Sequence, residues 1–185
     1  MPRPSTLTTC ITSGCTTAMV RMGTFSLNLP MALAPSQAVS TIENATSGSG
    51  NDTLTGNAAG NSLSAGSGAD VLLGGAGNDT VNGGGGGDQI RGGTGDDLLI
   101  GANGADAFRF EGDFGDDVIQ DFIDVTDRIW FAPDTGVDDF TDLRITAELR
   151  GGVTGSLVTF GDGQDTLWLR LITPSQLGAG DFVFG

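Results

Sequence analysis

The sequence predicts an all-β protein: a right-handed parallel β-roll of nonapeptide repeats, followed by a small β-rich C-terminal cap. Three observations carry that prediction. Residues 47–109 divide without insertion into seven nonamers: SGSGNDTLT, GNAAGNSLS, AGSGADVLL, GGAGNDTVN, GGGGGDQIR, GGTGDDLLI and GANGADAFR. The eighth position is always apolar (Leu54, Leu63, Leu72, Val81, Ile90, Leu99, Phe108), and the fourth is Gly except at Ala59. The sixth position is Asp52, Asn61, Asp70, Asp79, Asp88, Asp97 or Asp106, so a polar oxygen ligand recurs every nine residues. A buried side chain, a tight turn and a carboxylate at one fixed period describe a stacked coil.

The elements follow in chain order. Residues 1–40 are rich in Thr, Ser, Ala and Pro, nearly uncharged and without period. They read as a disordered extension, or as residues ahead of a later start such as Met31. The segment TIENAT at 41–46 reads as a lead-in strand. Within residues 41–109, the first six positions of each nonamer are expected to turn and the last three to form a strand. Two nonamers then complete one 18-residue coil, and strands from alternate repeats stack at ~4.8 Å into two parallel sheets.

Residues 110–185 close the roll. EGDFGDDVIQDF keeps the logic of the repeat through Gly115, Asp117 and Ile119, but Asp117 falls 11 residues after Asp106. Beyond it, 128–132, 143–149, 157–160 and 166–172 alternate as strands do, with a hairpin turn expected at Gly161-Asp162-Gly163-Gln164. Trp130, Phe131, Phe140, Trp168 and Leu171 are expected to form an apolar cap.

Charge and composition narrow the chemistry. The chain carries 23 acidic and 8 basic residues, net −15, of which −11 lies after residue 109. Such a field repels nucleic acid and anionic membranes and attracts cations. The absence of histidine removes the commonest general base, most zinc sites and the usual hydrolytic triads. Cys10 and Cys15 read as inert thiols or, in an exported chain, as a small disulfide loop. No apolar run approaches the ~20 residues of a membrane span, and the N-terminus makes a poor signal peptide. Paired acids such as Asp116/Asp117 and Asp138/Asp139 near Arg144 read as a solvated face, so the chain is expected not to be an enzyme and no catalytic or organic-cofactor residues are assigned.

Hard cations are another matter. Calcium takes six to eight oxygens in irregular geometry, and stacked Gly-rich turns supply carbonyls beside paired carboxylates. One edge of the roll should carry Asp52, Asp70, Asp88 and Asp106, and the other Asn61, Asp79, Asp97 and Asp117. Asp52/Asp70, Asp70/Asp88, Asp88/Asp106 and Asp79/Asp97 are regular pairs. Asn61/Asp79 is weakened by an amide, and Asp97/Asp117 by the two extra residues. The expectation is therefore four to six Ca²⁺ ions. Each strand buries only about one aliphatic side chain for nine ordered residues, so the array should need those ions to fold.

GGAGNDTVN, GGGGGDQIR and GGTGDDLLI resemble the RTX, or hemolysin-type, calcium-binding repeat GGxGxDxUx. Residues 104–131 are similar to the segment that closes the β-roll in serralysin-type proteins, and the final GDFVF is similar to the ending of type I secretion substrates. The resemblance implies type I secretion machinery as a partner, an extracellular location and folding on calcium. Two further readings remain open at this stage: a surface or adhesion protein, and the C-terminal remnant of a larger secreted enzyme or toxin. For self-association or a surface ligand, Val71, Leu73, Leu98 and Ile100 are expected to form an outward apolar stripe.

Overall fold

The computed structural model describes residues 19–21, 44–161 and 163–185. Most of the N-terminal extension, Cys10 and Cys15 lie outside the described residues. Among the described residues fifteen strands form two sheets. Within the extension, Met19–Arg21 form β1, antiparallel to β2 (Asn44–Thr46), the second half of the expected lead-in segment. The repeats then supply β3 (Thr53–Thr55), β4 (Ser62–Ser67), β5 (Val71–Ala76), β6 (Thr80–Gly85), β7 (Gln89–Thr94), β8 (Leu98–Asn103) and β9 (Ala107–Phe110).

Alternate strands go to opposite sheets, so the 18-residue coil is as expected. One sheet runs β2-β4-β6-β8 and the other β3-β5-β7-β9, all parallel. Eighth-position side chains face each other across the roll. Leu63, Val81 and Leu99 align from one sheet, and Leu72, Ile90 and Phe108 from the other, all fully buried. The strands are longer than expected. Each middle strand runs six residues, through the first three positions of the next nonamer, as in the pairing Gly66↔Gly84 and Ser67↔Gly85. Only positions four to six are true turn. The chain needs left-handed backbone there, as at Gly68 with φ 138°, and also at the second position within the strands, as at Gly84 with φ 104°.

The roll continues past the nonamers. β10 (Asp116–Ile119) extends the first sheet beside β8, and β11 (Arg128–Phe131) extends the second beside β9. β14 (Thr166–Arg170) then pairs in parallel with β10 and antiparallel with β13 (Val153–Thr159), which pairs antiparallel with β12 (Arg144–Arg150). The expected reversal between 157–160 and 166–172 is therefore present. β15 (Phe182–Phe184) closes the second sheet beside β11.

The cap is aromatic, but its membership differs from the expectation. Phe131 sits among Phe110, Phe114, Phe160, Phe182 and Phe184, with ring centroids 5.2 Å apart for Phe131–Phe160 and 4.8 Å for Phe110–Phe114. Trp168 is buried and Phe140 packs against the core. Trp130 instead points outward, with the Arg109 guanidinium 5.0 Å from its ring centre. Leu171 is exposed, just past the end of β14 in a left-handed conformation with φ 66°.

The expected apolar stripe is likewise divided. Val71 and Leu73 lie on β5 and Leu98 and Ile100 on β8, strands of opposite sheets. A nine-residue shift carries the chain across the roll, so pairs separated by an odd number of nonamers cannot share a face.

Candidate metal centre

The candidate ligands stand at the ends of the turns, seven of them one residue before a strand and Asp117 at the second residue of β10. The tight turn folds the sixth-position side chain inward, and the next coil covers it. Asp52, Asp70, Asp88 and Asp106 form one column, and Asn61, Asp79, Asp97 and Asp117 form the other; all eight are buried. Every residue expected from the sequence thus falls in its expected column.

Within a column one hydrogen bond repeats. The Asp52 amide donates to Asp70 Oδ1 at 2.7 Å, Asp70 to Asp88 at 2.9 Å, and Asp88 to Asp106 at 2.9 Å. In the second column Asn61 donates to Asp79 at 2.6 Å, Asp79 to Asp97 at 2.7 Å, and Asp97 to Asp117 at 2.8 Å. The two extra residues before Asp117 therefore do not disturb the stacking. They are taken up in the turn between β9 and β10, and Leu98 and Leu99 still align with Val118 and Ile119.

The second carboxylate oxygen differs. Oδ2 of Asp70, Asp79, Asp88, Asp97, Asp106 and Asp117 is buried with no hydrogen-bond partner. An ionised oxygen held this way is costly unless a cation compensates it. The titration behaviour has the same origin. Burial pushes the Asp117 carboxyl up to about 9; the Asp97 amide opposes that rise, and the charges of Asp97, Asp96 and Asp165 add to it. Burial likewise raises Asp97 and Asp106 to about 6 and lifts Asp70, Asp79 and Asp88 above the ordinary range.

These residues fit calcium. Among the described residues no three acidic side chains converge on one point. Carboxylates enter one per turn, so further oxygens must come from the backbone. At Gly74 the carbonyl oxygen of Gly92 and Oδ2 of Asp79 both face the glycine Cα, and at Gly56 the carbonyl of Gly74 and Oδ1 of Asn61 do the same. Mixed carboxylate and carbonyl oxygen in a turn suits calcium, while the chain offers no histidine to zinc.

Sequence reasoning missed the ends of the columns. Asp127 Oδ1 accepts from the Asp106 amide at 3.0 Å, in register with the column, and its Oδ2 accepts from Ile123 at 2.8 Å. The signal was present: Asp127-Arg128-Ile129 repeats the acid-x-apolar order of the nonamer. Asp121 accepts from the amides of Gly101 and Ala102, and Asp165 from that of Gly115 at 2.8 Å. These carboxylates stand in for the coil that would have come next. The second column stops where Leu167, fully buried, takes the register position opposite Asp117.

Among the described residues no helix is long and apolar enough to cross a membrane. The RTX calcium-binding nonapeptide repeat family (four copies) matches this chain at residues 46–81 and 82–119. No curated protein matches it. Among solved structures, the extracellular lipase LipA from Serratia marcescens is 23% identical with a TM-score of 0.41, over 74% of this chain and 20% of the lipase. This chain thus spans about a fifth of the lipase's length. The AlgE6R3 subunit of the Azotobacter vinelandii mannuronan C5-epimerase is 28% identical with a TM-score of 0.37, over 72% of this chain and 78% of that subunit. The AlgE6R2 subunit of the same enzyme is 24% identical with a TM-score of 0.41, over 75% of this chain and 91% of that subunit. With the family's repeats matched across the stacked coils and a carboxylate at every predicted station but Asn61, residues 46–119 are RTX calcium-binding nonapeptide repeats folded as a β-roll.

Proposed function

We propose that this protein is a secreted calcium-dependent folding module, exported unfolded by a type I route and ordered outside the cell, with no catalytic residues of its own. The observation that carries the reading is the set of six buried Oδ2 atoms without partners. At low calcium these carboxylates either stay in water, with the chain unfolded, or become protonated. At extracellular calcium, with Kd ~10⁻⁴–10⁻³ M expected of such sites, the compact coil gains RT ln(1 + [L]/Kd) per station. Several stations together tip an array whose apolar core is one side chain deep per strand. The six stacked pairs, from Asp52/Asp70 to Asp88/Asp106 and from Asn61/Asp79 to Asp97/Asp117, give the positions to be filled, and four to six ions is the expected load.

Within each pair the protein's task is positional. The amide of the preceding coil holds Oδ1, which at Asp79, Asp88, Asp97 and Asp106 leaves Oδ2 turned to the space beside the first-position glycine. Bound calcium supplies the charge that lets neighbouring carboxylates stay ionised and stacked. Circular dichroism at neutral pH tests the reading: β-signal should be low in EDTA and rise cooperatively on titration to 10 mM calcium, roughly ten times the weakest expected Kd. Equal β-content in both conditions would overturn it.

A further inference from the structure

The first position of each nonamer is Ser47, Gly56, Ala65, Gly74, Gly83, Gly92 or Gly101. Glycine here is not required by backbone conformation, since Gly74, Gly83, Gly92 and Gly101 all lie outside the left-handed region. It is required by space. A Cβ on Gly74 would lie nearer than 3.0 Å to Oδ2 of Asp79, a separation real Cβ atoms essentially never show. The same holds for Gly83 with Asp88, Gly92 with Asp97, and Gly101 with Asp106. Each glycine thus abuts the unpartnered oxygen of the carboxylate five residues later in its own nonamer.

Ala65 breaks this pattern in the interior of the array. It is fully buried, pairs its strand with that of Gly83 in the next coil of the same sheet, and precedes Asp70 by the same five residues. Its carbonyl is also engaged, accepting from Ser47 Oγ at 2.5 Å. A methyl group and a committed carbonyl therefore occupy one station where the other interior stations present glycine. The second column has glycine throughout, at Gly56, Gly74 and Gly92. The first column has it only at Gly83 and Gly101.

We propose that the first-position residue sets the affinity of each calcium station, and that Ala65 makes the station at Asp70 the weakest of the interior ones. The proposal rests on the calcium reading above. The methyl group takes room beside Asp70 Oδ2 that an ion and its oxygen shell need, whereas hydrogen leaves that room open. Loading then ends, as calcium rises, at the N-terminal part of the first column.

The test is calorimetric calcium titration of the full chain at neutral pH, with melting in EDTA as a second readout. Ala65→Gly should tighten the weakest step by on the order of tenfold, equivalent to ~1.4 kcal/mol. Melting in EDTA should fall or stay level, because glycine adds chain entropy without an ion to repay it. Gly83→Ala should do the reverse and weaken the loading that depends on Asp88. A wild-type or weaker isotherm for Ala65→Gly overturns the proposal whatever Gly83→Ala does. If the wild-type chain itself binds no calcium, it is the calcium reading that fails.

Discussion

The repeat array and the C-terminal cap are built from the same strands but are stabilised in opposite ways. In the array, Leu63, Val81, Leu99, Leu72, Ile90 and Phe108 form a ladder one side chain deep, flanked by columns of buried carboxylates. In the cap, Phe110, Phe114, Phe131, Phe160 and Phe182 form a cluster several side chains across, and strands β12 to β14 reverse direction in an ordinary antiparallel meander. The cap can rest on apolar burial. The array adds to a thin apolar ladder a repeating electrostatic debt, and its order depends on what settles that debt. The two share strands β10 and β11, so the cap also gives the array a formed edge on which to stack.

The largest expected effect separates them on the cap side. Phe131→Ala removes the ring that touches five other aromatic rings and should cost ~3–5 kcal/mol. The loss should appear with calcium saturating, in thermal melts, and as a weakened near-ultraviolet aromatic signal in EDTA. An aromatic signal insensitive to the substitution in EDTA would show that the cap, too, waits for calcium.

Acid should act chiefly on the array. The carboxyls of Asp70, Asp79, Asp88, Asp97, Asp106 and Asp117 have folded pKa values raised above their ordinary value of 3.8, to about 6 for Asp97 and Asp106 and about 9 for Asp117. A raised carboxyl pKa contributes stability while the group is protonated in both states, and that contribution is lost as pH rises through the folded value. Metal-free protein should therefore gain β-signal as pH falls from about 9 towards 4, with most of the change above pH 4. In saturating calcium the neutral-pH signal should already be high. A metal-free fold that strengthens with rising pH across this window would contradict the burial of these groups.

Asp97→Asn sharpens the comparison at one residue. The amide keeps an acceptor for Asp79 N–H but carries no charge into the column. At the low-calcium end of a titration the variant's β-signal should exceed the wild type's, while calcium affinity falls. A variant with less β-signal than the wild type at low calcium would mean that the charge is not the array's burden. The smallest effect belongs to the outer edge of the meander: Leu149 is exposed, so Leu149→Ser should change stability by under ~0.5 kcal/mol in either condition.

Much of this was legible in the sequence because a strict period fixes both register and facing. Once Asp70 and Asp88 are eighteen residues apart in an unbroken array, their stacking follows, as does the burial of Leu72 over Ile90. Legibility fades where the period does. Asp127 was hidden by a 21-residue step from Asp106, although its acid-x-apolar context matched the nonamer. The extended strands were hidden because Gly at positions one to three reads as turn, whereas parallel pairing such as Gly75↔Gly93 keeps those residues in the ladder even at φ 121° and 120°. The cap gave only alternation, which does not say which aromatic faces in: Trp130 and Phe131 are neighbours, and the sheet sends them to opposite sides.

Calcium stoichiometry of the wild-type chain beside Asp88→Ala tests the columns most directly. Asp88 accepts from the Asp70 amide and donates its own to Asp106, so it belongs to two stacked pairs. At neutral pH and saturating calcium, equilibrium dialysis should give four to six ions for the wild type and at least two fewer for Asp88→Ala, from a chain that remains folded through its cap. Unchanged stoichiometry in the variant would contradict the stacked-column account.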